Sequence, residues 1–315
     1  ATSLASTTTV DTPETINLDF QSGIAENTLL FGSIRYAKYS DTIVSPTVFD
    51  AVVEPGTAGT SLTDLDDSLD YTLGIGYRFS EKFRVVGGVR YSRDEKSGVV
   101  RGLALETGDR FTPNDPVPSS PLSPTYPEGG GYTTSYSDSW EELTPQITAE
   151  FKPNDNILLY GTFSTGFKGG GFEDDPANPL AAQSSYDPET VDNIEIGGKF
   201  ELFNRAARLN IAGFSMRYKD LQVTQTSDVC LCNITDNAAD AKIKGIEAEL
   251  QVLPFTGLLL SGGLTLLDTE YIEFTDSVGN VNDGKFLQRT PDYQFNVSAR
   301  YTTDLGSWTD GFSAN

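Results

Sequence analysis

The stretch Tyr293-Gln294-Phe295-Asn296-Val297-Ser298-Ala299-Arg300-Tyr301-Thr302 decides the fold. Its odd positions are apolar or aromatic and its even positions polar, without a break. Side chains alternate faces along a strand, so this segment has one oily face and one wet face. The same period recurs upstream. Ile246, Ala248, Leu250 and Val252 alternate with Glu247, Glu249 and Gln251, and Ile194, Ile196, Phe200 and Leu202 with Asn193, Glu195, Lys199 and Glu201. Ile147, Ala149 and Phe151 alternate with polar neighbours, as do Leu73, Ile75, Tyr77 and Phe79, and Ile16, Leu18 and Phe20. Leu29–Tyr39 and Arg208–Tyr218 are apolar on both faces in places.

The connections give the architecture. Short turns are expected at Ala25–Asn27, Ser80–Lys82, Pro153–Asn156, Phe203–Arg205 and Pro254–Gly257. Long polar segments are expected at Ser40–Leu69, Glu95–Ser139, Lys168–Glu189, Gln222–Lys242 and Tyr271–Asp292. Short and long alternate, as in transmembrane barrels with tight periplasmic turns and long outer loops. A soluble sandwich would have short loops at both ends and its oily face inside. The expected fold is therefore all-β: an antiparallel transmembrane β-barrel in the bacterial outer membrane, in contact with its lipid and lipopolysaccharide. About eleven or twelve strands are expected. Closed single-chain bacterial barrels have even strand numbers and leave no open edge, so the chain reads as a partial barrel, part of a larger one.

Bulk composition agrees. Among 315 residues the hydrophobic share is only 37%, while aromatics reach 11%, which suits a thin wall with aromatic girdles better than a thick core. A net charge of -23 disfavours nucleic acid as a partner, because phosphates need a basic footprint. There is no His, which removes His-based triads, His-ligated zinc and the usual general base near neutral pH. No enzyme, cofactor or metal centre is expected.

Several segments resemble the β-barrel domain of TonB-dependent outer-membrane receptors. They are Gly87-Gly88-Val89-Arg90-Tyr91 with Asp94-Glu95-Lys96; Thr144-Pro145-Gln146; Tyr160 through Phe172; Asp187-Pro188-Glu189-Thr190 leading to Glu195-Ile196-Gly197-Gly198-Lys199; Lys244-Gly245-Ile246-Glu247-Ala248-Glu249; and Arg289-Thr290-Pro291. The resemblance runs from about Phe83 to Thr303. It implies roughly 22 strands around a plugged lumen. It also implies capture of a small molecule such as a ferric chelate by outer loops, and energy from the TonB complex acting through a plug domain. No plug and no TonB-contacting segment is visible in this sequence. Thr12–Phe20, Leu30–Tyr36 and Tyr71–Phe79 are instead similar to outer-membrane long-chain fatty-acid transporters. That divides the chain into fatty-acid-transporter-like strands (1–80) and receptor-like strands (81–315), with a channel for hydrophobic solutes as the alternative function.

Candidate site residues are few. Cys230 and Cys232 form a C-x-C pair, too few ligands for structural zinc and equally open to a disulfide or free thiols. Asp64, Asp66, Asp67 and Asp70 lack the glycine and distal glutamate of a calcium loop and read as a solvated acidic loop. Gly166–Phe172 has no G-K-[ST] and is not read as a phosphate loop. Tyr132, Tyr136 and Trp140 are candidate ligand contacts, with an outer aromatic girdle the preferred reading. Lys285 and Arg289 are cations in an acidic loop that could meet an anionic ligand, although loop cations more often pair with neighbouring acids.

Overall fold

The computed structural model describes residues 8–10, 12–42, 44–46, 67–102, 132–173, 179–227, 232–303 and 312–314. In chain order the strands are β1 (Thr8–Val10), β2 (Glu14–Ala25), β3 (Thr28–Lys38), β4 (Val44–Pro46), β5 (Ser68–Arg78), β6 (Phe83–Gly102), β7 (Tyr132–Asn154), β8 (Ile157–Lys168) and β9 (Gly171–Phe172). They continue with β10 (Ser185–Tyr186), β11 (Glu189–Leu202), β12 (Ala207–Ser227), β13 (Cys232–Phe255), β14 (Leu258–Phe274), β15 (Tyr293–Thr303) and β16 (Phe312–Ala314). Twelve of them form one antiparallel sheet in the order β2-β3-β5-β6-β7-β8-β11-β12-β13-β14-β15-β16, each long strand beside its sequence neighbour in the sheet. β1 pairs with β4 and β9 with β10 as separate small ladders.

The deciding stretch is β15. It pairs from Tyr293↔Leu266 to Tyr301↔Leu258 without a slip. A one-residue slip would exchange the oily and wet faces, so the alternation itself fixes the register. All the short turns lie at one rim, and their backbone shows why they are tight. Asn27 in the β2–β3 turn and Phe203, Asn204 and Arg205 in the β11–β12 turn have φ between 53° and 70°, the left-handed region that hairpins need.

The oily face is the exposed one. Ile196 is 70% exposed, Phe295 69% and Val297 80%, and this face continues through Leu250, Leu264, Ile147, Leu73 and Leu18. Only eight apolar residues are buried, and no large side chain is fully enclosed among the described residues. A water-soluble sheet cannot leave such a continuous face bare, whereas a barrel wall turns it to lipid. From Phe255 to Lys244, along β13, a strand tilted by about 40° rises roughly 30 Å, which matches the apolar band of an outer-membrane barrel.

The strands run further than the sequence suggests. β12 and β13 carry 21 and 24 residues and reach Ser227 and Cys232, so most of the expected loop Gln222–Lys242 is hairpin. β6 extends to Gly102 and β7 begins at Tyr132, well inside the expected loop Glu95–Ser139. Above the lipid both faces meet water, the alternation fades, and a strand looks like a polar loop.

Lumenal wall and outer mouth as the candidate functional site

The face opposite the lipid is a lattice of polar contacts made across strands. Arg90 on β6 gives two hydrogen bonds to Asp70 on β5, at 3.2 and 2.7 Å, and Ser92 adds a third at 2.7 Å. Arg84 does the same to Glu150 at 3.0 and 2.6 Å. Thr148 and Thr162 share a hydrogen bond of 3.0 Å, and the Tyr160 hydroxyl donates to Glu195 at 2.6 Å. Further along, Asn210 donates to Glu249, and Arg208 and Arg205 flank Glu201. The arginines are about half exposed, so each pair adds about 1 kcal/mol or less. Their larger effect is to hold side chains upright against the wall. The side-chain oxygens of Asn193 and Asn210 are shielded yet find no hydrogen-bond partner among the described residues.

Asp70 is thus a strand residue clamped by Arg90 and not part of a solvated acidic loop. Asp67, just before β5, accepts hydrogen bonds from the Tyr36 hydroxyl and from the Ser40 backbone N–H. These bonds, the Tyr36 hydroxyl first, hold its carboxyl below the usual carboxylate range. Asp64 and Asp66 lie outside the described residues. No group of carboxylates and thiols able to hold a metal occurs among the described residues.

Above the membrane the wall carries two small cores. In the first, Trp140 is 7% exposed and Tyr136 packs on Phe172 with ring centroids 4.3 Å apart. Lys96 donates to the Gly170 carbonyl at 2.6 Å and sits over the Trp140 ring. Gly170 lies against the indole so closely that a Cβ there would be 2.5 Å from Trp140 Cε2. The expected girdle role of Tyr136 and Trp140 is therefore wrong. Counting by twos from Thr144 through Glu142 puts both on the lumenal face, where they anchor the β8–β11 connection. The glycines at 169–171 serve that packing.

The connection is also tied on its other side. Gln222 donates to the carbonyls of Gly169 and Asp187, and Asn237 to those of Asp187 and Asp220. In the second core Tyr271, Phe274, Ala239 and Ala241 pack with Leu287. This fastens the β14–β15 connection, which carries both loop cations. Lys285 donates to Asn282 Oδ1 at 2.8 Å. Arg289 is exposed, has a left-handed φ of 59°, and makes no ion pair among the described residues. The structure places the two cations in one connection, between β14 and β15. The side chain of Tyr132, the thiol of Cys232 and the whole of Cys230 lie outside the described residues. Sequence reasoning missed Gln222 and Asn237; neither carries a local signal, because their partners are backbone carbonyls 17 to 53 residues away.

The family model described as TonB dependent receptor-like, beta-barrel, matches residues 2–315. The chain belongs to the TonB-dependent receptor β-barrel family. That makes it an outer-membrane protein of a family of receptors and transporters. The family match runs through residues 12–79, and the likeness of that stretch to fatty-acid transporters finds no support. Among solved structures, the chain is similar to the ferric yersiniabactin uptake receptor FyuA from Yersinia pestis: 16% identity, 93% of this chain and 40% of that one covered, TM-score 0.59. It is similar to BauA, the ferric preacinetobactin receptor from Acinetobacter baumannii, at 16% identity, with 96% and 42% covered and a TM-score of 0.58. It also matches the copper transporter OprC at 12% identity, with 94% and 42% covered and a TM-score of 0.55. At these identities the likeness shows the fold. The chain spans about two fifths of the length of these structures.

Proposed function

We propose that this chain is part of the barrel wall of a receptor for TonB-dependent uptake of a scarce nutrient, a ferric siderophore or similar chelate. The observation that carries the reading is the pairing of a lipid-facing apolar side with a polar lumenal lattice in a chain of this family. The lattice suits contact with a polar plug, through which the TonB complex would deliver energy. The fastened outer connections suit capture of a ligand, because a wall that is already ordered loses little entropy on binding. Arg289 supports an anionic ligand: it is exposed, it lacks an acid partner among the described residues, and its neighbours are held in place. Thr290 donates to the Leu287 carbonyl at 2.7 Å and the Leu287 N–H to Thr269 at 3.2 Å. A fatty-acid channel would need an apolar lumenal pocket, whereas this lumenal face carries the charged and polar cross-strand contacts Arg84–Glu150, Arg90–Asp70 and Tyr160–Glu195.

The deciding experiment is uptake of radioiron from a panel of ferric chelates by iron-starved cells with and without the gene. Loss of energy-dependent uptake of one chelate on deletion is expected. Unchanged uptake of every chelate, with loss of fatty-acid uptake, would overturn the reading.

A further inference from the structure

On four neighbouring strands the lipid-facing side changes character at a single step. β11 passes from Ile196 and Ile194 to Asp192, and β14 from Leu264 and Leu266 to Asp268 and Glu270. Between them, β12 passes from Ile211, Gly213 and Ser215 to Arg217 and Lys219, and β13 from Leu250, Ala248 and Ile246 to Lys244 and Lys242. The step lies at the long-loop end of each strand. It marks where hydrocarbon gives way to headgroups.

Just above that line, in a chain of net charge -23, the cations form a block. Arg217 is the direct register partner of Lys242, and Ser215 that of Lys244. Like charges placed directly opposite across a strand pair repel, and the arrangement is destabilising unless an anion lies against both. The acids at the edges relieve only half of it. Arg217 is 3.7 Å from Asp240, and Lys219 is 3.4 Å from Asp192. Lys242 and Lys244 are register partners of Glu270 and Asp268 but make no ion pair with them among the described residues. Arg217, Lys219 and Lys244 are exposed.

We propose that Arg217, Lys242 and Lys244 bind the phosphate groups of an outer-leaflet glycolipid. The guanidinium offers a planar fork of donors suited to phosphate, and the two ammonium groups add point charges beside it. The block faces the membrane at headgroup height, so the anions available to it are lipid phosphates and not solutes of the lumen. The inference rests on the orientation of the barrel and is independent of what the receptor takes up.

The test uses the full-length protein, extracted from outer membranes and placed in nanodiscs. The probes are lipid A carrying its phosphates and the same lipid with them removed. The Lys242→Ser/Lys244→Ser variant should retain at least five-fold less phosphorylated lipid than wild type. Binding of the dephosphorylated lipid should be equal in the two. Lys82→Ser, at the opposite rim, should change neither, and Lys242→Arg/Lys244→Arg should restore binding. Millimolar inorganic phosphate should fail to displace the lipid. Equal retention by wild type and the serine variant overturns the proposal, as does displacement by inorganic phosphate, which would make the block a site for free anions. If the serine variant does not assemble, Lys244→Gln alone is read by the same criterion, with a two-fold loss expected and no loss overturning the proposal.

Discussion

The ring of Tyr160 lies over the bare backbone of Gly197, its direct cross-strand partner. A Cβ on Gly197 would sit 2.5 Å from Tyr160 Cζ. The absent side chain lets the ring lie flat along the wall, and from there the hydroxyl reaches Glu195 at 2.6 Å. One glycine thus positions both a tyrosine and a carboxylate on the lumenal face.

Gly197→Val should therefore lift the ring, break the Tyr160–Glu195 bond and cost about 1–3 kcal/mol, the usual range for overpacking. The urea midpoint of the folded protein in detergent, followed by heat-dependent mobility on gels, measures it. Tyr160→Phe removes the bond alone and should cost about 1 kcal/mol. An unchanged midpoint for Gly197→Val would show that the ring has another resting place.

Much of this was legible beforehand. The alternation of Tyr293–Thr302 appears as β15, and the short turns fall where the hairpin residues stand. Trp140 was not legible. A tryptophan beside Ser and Glu reads the same whether it lies in an interfacial girdle or under a returning loop. Only the face-by-face count from Thr144 separates the two, and that count requires knowing that β7 starts as early as Tyr132. Gln222 and Asn237 were hidden for another reason: they bind carbonyls that any residue could supply.

Trp140 supplies the second prediction. Trp140→Ala removes the centre of the first outer core and should cost about 3 kcal/mol of local stability, as for other large-to-small changes at buried aromatics. Loss of that order releases the β8–β11 connection while the membrane-spanning hairpins stay intact. Trypsin cleavage at Lys168 should quicken at least ten-fold, with the heat-dependent gel shift preserved. Gly170→Val should do the same from the other side of the contact.

The β14–β15 connection should respond to acid. Asp276 accepts hydrogen bonds from the side chain and backbone of Asn280, the side chain of Asn282 and the backbone N–H of Val278. These bonds, Asn280 first, hold its carboxyl below the usual carboxylate range. A depressed pKa means that the ordering contribution is fully present above the unfolded value and is lost as pH falls through the folded one. Amide exchange at Asn280 should accordingly be flat from pH 7 down to about 4, once corrected for intrinsic rates, and rise below that. Asp276→Asn should give the acid-side behaviour at every pH. A rise centred near pH 6 would assign the effect to some other group.

The orientation of the wall can be tested with two adjacent residues of β13. Leu250 and Glu249 differ by one step and therefore face opposite sides, Leu250 toward lipid and Glu249 toward the lumen with Asn210. Arginine at position 250 would place a charge near the middle of the apolar band, at a cost of about 2–4 kcal/mol. Arginine at position 249 would stay in the polar lattice and lose only a contact with Asn210, about 1 kcal/mol. Leu250→Arg should therefore assemble poorly into bilayers and unfold at markedly lower urea, while Glu249→Arg behaves nearly as wild type. A soluble sheet with its apolar side sealed inside would also reject Leu250→Arg, but there the loss would be the same in detergent, lipid and water. The decisive reading is its dependence on bilayer thickness: lipids with shorter chains bring headgroups nearer to position 250 and should recover part of the loss. A loss independent of chain length would place Leu250 against protein and reverse the assignment of the two faces.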